Sequence, residues 1–115
     1  MLTIEALREY GADTQAGLAQ CLNDEGLYLG LVEMLMNDGR FEEMCYSTET
    51  MSLRHALHEA YALWMTSSGL GLKPLAKQLE QMIMCLQLRG DSQVLDKQVG
   101  LIRLCMEQLR AIDRD

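Results

Sequence analysis

One proline and few β-branched residues occur in 115 positions, so the chain has little of the Val, Ile and Thr from which strands are built. No apolar run approaches the ~20 residues that a membrane-spanning helix needs. Basic residues are not in excess: 10 Lys and Arg stand against 17 Asp and Glu, a net charge of -7. That balance excludes the sequence-independent attraction by which basic proteins hold nucleic acids and anionic membrane surfaces. The expected partners are therefore proteins, with no nucleic acid and no membrane. The four cysteines, Cys21, Cys45, Cys85 and Cys105, form no CxxC pair, and no signal peptide is expected ahead of them. A reduced, cytoplasmic chain with mostly buried thiols is expected.

Apolar residues make up 49% of the chain and charged ones 23%, ordinary values for a folded protein. The length suits one domain over residues 1–115. Leu, Met, Ala, Gln and Glu dominate, all good helix formers, and the expectation is an all-α chain. A short helix from Thr3 to Tyr10 stops at Gly11, and Asp13 caps a second short one running to Leu22. Leu27, Leu31, Met34 and Leu35 recur at helical spacing behind Asn23 or Asp24 until Asn37-Asp38-Gly39 ends them. This segment is taken as the first long helix. A short helix over Phe41–Thr48 follows, with Phe41, Met44 and Cys45 on one side.

Behind Thr50 or Ser52, the residues Leu53, Ala56, Leu57, Ala60, Leu63, Trp64 and Ser67 make a stripe for a helix reaching about Ser68. Gly69 and Gly71 close it. Pro74 suits the first turn of the next helix, whose buried side is Leu75, Leu79, Met82, Ile83 and Leu86. After the turn Arg89-Gly90-Asp91-Ser92, the residues Val94, Leu95, Val99, Ile102, Met106, Leu109 and Ile112 stripe the last helix. Long amphipathic helices joined by short turns favour antiparallel neighbours, which predicts an up-and-down four-helix bundle with short N-terminal helices.

Residues 60–80, AYALWMTSSGLGLKPLAKQLE, carry a more specific pattern. A small residue precedes position 61, Leu63 follows, then the small residues Thr66, Ser67 and Ser68, the pair Leu70-Gly71, and a helix with Leu75 that ends in Leu79-Glu80. This register resembles the histidine-containing phosphotransfer (HPt) domain, in which Ala-His-x-Leu-Lys-Gly is followed by small residues, Leu-Gly and a helix ending in Leu-Glu. Upstream, Phe41-x-x-Met44 and Ala56-Leu57 stand where that family has apolar residues. The N-terminal ALREYGADTQAGLAQCLNDEGLYLGLVEML is similar to the arm and first helix of bacterial HPt proteins.

The resemblance implies a cytoplasmic module of two-component signalling that meets receiver domains or histidine kinases and needs no cofactor. In that family the histidine attacks the phosphoryl group on a receiver aspartate, the lysine one turn on faces the phosphoryl oxygens, and the glycine leaves room for the receiver. At the three corresponding positions this chain has Tyr61, Trp64 and Met65. A phenol is mostly protonated and weakly nucleophilic near neutral pH, and its phosphate ester does not readily return phosphate to a carboxylate. Trp64 brings no cation and Met65 fills the glycine's gap. The expectation is a pseudo-HPt module that is not an enzyme. It would dock through Arg54, His58, Tyr61, Trp64, Met65 and Ser68, or pair with a second copy of itself there. Trp64 turned outward would join an exposed apolar patch; turned inward it would fill core volume, and the sequence leaves both open.

The main competing site is His58, one helical turn before Tyr61 with Arg54 a turn further back. As a displaced phosphoacceptor it would make the chain a working phosphotransfer protein; as a solvated surface histidine it has no role. His55 lies further round the helix and is assigned none. A metal site from His55, His58 and a cysteine is not expected, because the cysteines follow no ligand spacing. Lys73 and Lys77, on the following helix, read as solvated charges or as flanks of the lost site. The methionines fall mostly on apolar stripes, where they fill gaps. A helical interaction protein unrelated to phosphorelay is the remaining reading.

Overall fold

A computed structural model describes residues 1–114, which form seven α-helices and no strand. They are α1 (Ile4–Tyr10), α2 (Thr14–Gln20), α3 (Glu25–Met36), α4 (Arg40–Glu49), α5 (Leu53–Gly69), α6 (Lys73–Gln87) and α7 (Ser92–Arg114). The all-α expectation is met. Among the described residues, no helix is long and apolar enough to cross a membrane.

Local chemistry sets the helix starts. The side chains of Thr3, Asp13 and Asp24 accept from the backbone N–H groups of Ala6, Ala16 and Leu27, each satisfying a donor that the first turn would otherwise leave unpaired. Asp91 does the same for Val94 at the start of α7. Gly11, in the left-handed region with φ of 112°, closes α1, and Pro74 lies in the first turn of α6.

Helix α5 packs on α4 and α6, α6 on α7, and α7 also meets α4, α1 and α3. The core between them is apolar: Met44, Ala60, Leu63, Leu75, Leu79, Met82, Ile102 and Leu109 are all buried. Two of the differences from the sequence reading concern how the helices pack. Helix α4, expected as a minor element, is a principal neighbour of α5, whereas α3, expected as the first long helix of the bundle, lies against α2 and α7. The buried face of α3 is Tyr28, Val32, Leu35 and Met36, so the stripe is rotated from the expected one, and Leu27 and Met34 are exposed.

Tyr28 explains the rotation. Its ring is fully buried and its hydroxyl donates to the Leu70 carbonyl at 2.8 Å. Helix α5 ends at Gly69 and Gly71 turns into the left-handed region, so no following turn offers that carbonyl an N–H. The tyrosine supplies the missing donor, and burial pushes its pKa up to about 12, so the phenol keeps its proton. The ring runs over Gly17, where a Cβ would come 2.3 Å from Tyr28 Cε1 and 2.5 Å from the Leu70 oxygen. The backbone N–H of Asp13 adds a bond to the Gly71 carbonyl at 2.7 Å. Together these contacts fasten the N-terminal helices onto the α5–α6 turn. Tyr28→Phe is expected to cost about 1–3 kcal/mol, the penalty for leaving a buried carbonyl unsatisfied, measured as a lowered urea midpoint with unchanged slope.

Cysteines 21, 45 and 105 are buried, Cys85 is half-buried, and all four are free thiols. Burial pushes the Cys45 and Cys105 thiols up, which keeps them protonated and poorly nucleophilic.

Candidate functional site

One face of α5 gathers the residues singled out by the HPt-like pattern. Arg54, His58, Tyr61, Met65 and Ser68 are all exposed, and their spacing of three and four residues lines them along one side of the helix. Tyr61 is 40% and Met65 66% exposed. Trp64 falls between the two expectations, half-buried against the core with its ring edge at the surface.

Helix α6 holds the aromatic pair in place. Trp64 Nε1 donates to Glu80 Oε1 at 3.1 Å, and Gln87 Nε2 donates to the Tyr61 hydroxyl at 3.0 Å. Glu80, Met84 and Gln87 are spaced four and three apart and so share one side of α6. Met84, 54% exposed, therefore joins Tyr61 and Trp64 in an apolar strip along the α5–α6 seam. Glu80 sets a carboxylate beside Trp64, one turn from Tyr61. A phosphoryl group there would meet a carboxylate and no lysine from α5. Lys73 instead lies 3.9 Å from Asp13, and Lys77 is exposed one turn from Glu80. At the flank of this stripe away from α6, Met65 borders a groove with Leu31 and Met34 of α3.

His58 is exposed and has no bonded partner among the described residues. It lines a shallow depression with Ser52, Leu53, Arg54 and His55. No carboxylate orients its ring, the support that an activated histidine ordinarily has.

His55, assigned no role from the sequence, has one in the structure. Its Nε2 lies 3.6 Å from Glu59 Oε1. Glu59 is only 4% exposed and also accepts from the Ser47 hydroxyl at 3.1 Å. Burial, followed by the neighbouring Glu43 carboxyl, holds the Glu59 carboxyl above the ordinary carboxylate range, opposed by the Ser47 hydrogen bond and by His55. Glu59 was legible in principle: it falls inside the stripe of Ala56, Ala60 and Leu63, where a charge is out of place.

No family model, no curated protein and no solved structure matches this chain, so the HPt resemblance rests on the residues that carry it.

Proposed function

We propose that the chain is an HPt-like module of two-component signalling, an antiparallel four-helix bundle of α4 to α7 with α1 to α3 as its arm. It docks on a cytoplasmic receiver domain or histidine kinase without carrying phosphate. The observation that carries this reading is the exposed α5 stripe around Tyr61. The position matching the acceptor faces solvent, yet its hydroxyl is engaged by Gln87 and its neighbour Trp64 draws in Glu80. A scaffold for docking is retained, and each chemical requirement of phosphoryl transfer is replaced. Tyr and Trp on an exposed apolar strip are residues that commonly anchor protein contacts.

The test is a transfer assay from a phosphorylated receiver of the same genome, scoring acid-labile label on this protein. Receiver binding without label is the expected result. Label that disappears in His58→Ala would replace this reading with a working phosphotransfer protein. Neither label nor binding to any receiver or kinase would leave a helical interaction protein outside phosphorelay.

A further inference from the structure

Glu43 on α4 and His55 and Glu59 on α5 each bring one ligand atom to a common point, all within 4.8 Å of one another. Glu59 is the fixed member. It is buried, Ser47 holds its Oε1, and its Oε2 has no hydrogen-bond partner among the described residues. A buried carboxylate with one oxygen unmatched is costly unless a cation or a proton compensates it. Glu43 and His55 are both exposed and have the rotamer freedom to close on an ion.

We propose that Glu43, His55 and Glu59 bind a divalent transition-metal ion, with Zn²⁺ as the preferred occupant, clamping α4 to α5. One imidazole nitrogen with two carboxylate oxygens suits Zn²⁺ and its neighbours in the first transition row better than Ca²⁺ or Mg²⁺, which favour all-oxygen cages or retained water. One ligand pair already has nearly the spacing such an ion needs, and the exposed Glu43 and His55 would close the remaining separations, which lie within 4.8 Å. His55 Nε2 and Glu59 Oε1 are 3.6 Å apart, against roughly 3.4 Å for two ligands of a tetrahedral ion with bonds of about 2.0–2.1 Å. Ser47 acts as the outer hydrogen bond that orients a metal-binding carboxylate. The short turn between α4 and α5 brings the two helices together, and the i, i+4 spacing of His55 and Glu59 puts both on one face of α5. Three protein ligands leave at least one coordination position for water. The site does not depend on the phosphorelay reading, and its test does not involve a receiver.

The full-length chain, stripped with chelator, is titrated calorimetrically with Zn²⁺, and the visible spectrum of its Co²⁺ form is recorded. Saturation at one equivalent, a raised melting temperature and Co²⁺ bands without thiolate charge transfer are expected, the last setting aside the four cysteines. Glu59→Gln keeps the shape and a Ser47 acceptor but removes a ligand. It and His55→Ala should each weaken Zn²⁺ binding by at least about tenfold, while His58→Ala leaves it unchanged. The Glu59→Gln chain is expected to melt without metal no lower than the parent, which separates ligand loss from misfolding. Absence of saturable binding would overturn the proposal and leave Glu43 and Glu59 sharing a proton. Binding indifferent to Glu59→Gln and His55→Ala would overturn it equally.

Discussion

Gly71→Ala is expected to lower stability by about 3 kcal/mol, the sum of a non-glycine residue forced into the left-handed region and an overpacked contact. For a chain of this size that corresponds to a melting temperature roughly 10–15 °C lower. Gly71 has φ of +72°, and a Cβ there would stand 2.2 Å from the Asp13 oxygen and 3.0 Å from its carbonyl carbon. These are backbone atoms, so a rotamer change cannot relieve the clash. The chain must move Asp13 away, which breaks the Asp13 N–H bond to the Gly71 carbonyl and disturbs the residue that caps α2. Gly100→Ala is the matched control. Gly100 lies within α7 with no neighbouring atom within 4 Å of its Cβ position, and the substitution should raise stability by about 0.5–1 kcal/mol. Thermal melts of the two variants followed by circular dichroism give the comparison. A Gly71→Ala chain melting like the parent would mean that the N-terminal arm is not held rigidly against the α5–α6 turn.

The same turn shows what the sequence made legible. Gly11 and Asp13, and Asp24 as one of two choices, were readable because caps are local: a short polar side chain or a glycine acts within four residues of itself; Thr3, read as the first residue of α1, is its cap. The buried side of α6 was readable because all five of its expected core residues repeat at helical spacing, and all five are buried. The α3 face was not, because Tyr28 is held by a carbonyl 42 positions away, and no local pattern announces that partner. Leu27 and Met34 recur at helical spacing and so read as part of the apolar stripe, and both are exposed. The weight of α4 was missed for a related reason. Its charged exterior lowers its apparent hydrophobicity, while Phe41, Met44 and Cys45 still form a complete inward side.

At the candidate site the outward placement of Tyr61 and Met65 was expected from the HPt resemblance, and both are exposed. The pairing of Trp64 with Glu80 and of Tyr61 with Gln87 was not, since it depends on the register between α5 and α6. Glu59 was overlooked because the stripe was drawn through apolar residues only. The contact from His55 to Glu59 joins an exposed residue to a buried one, and although the two are one turn apart, neither was read with the other in view.

Met65→Glu should weaken receiver binding by about 30-fold or more, the effect of about 2 kcal/mol at an interface anchor, while leaving folding stability within about 0.5 kcal/mol. The structure favours this variant over Trp64→Glu. Trp64 is half-buried and bonded to Glu80, so a carboxylate in its place would both empty core volume and face a like charge. Lost binding by that variant would confound docking with folding. Met65 is largely exposed, and Tyr61→Glu, which gives up the bond from Gln87 and the packing of a part-covered ring, offers a second probe on the same stripe. The chain's single tryptophan reports from within the site: a partner covering the α5–α6 seam should shift Trp64 emission to the blue, measured with a receiver that lacks tryptophan. If the face pairs with a second copy instead, sedimentation should show a dimer that Met65→Glu and Tyr61→Glu both dissociate. Unchanged affinity for receivers and kinases, together with an unchanged mass in both variants, would remove this face as the docking surface.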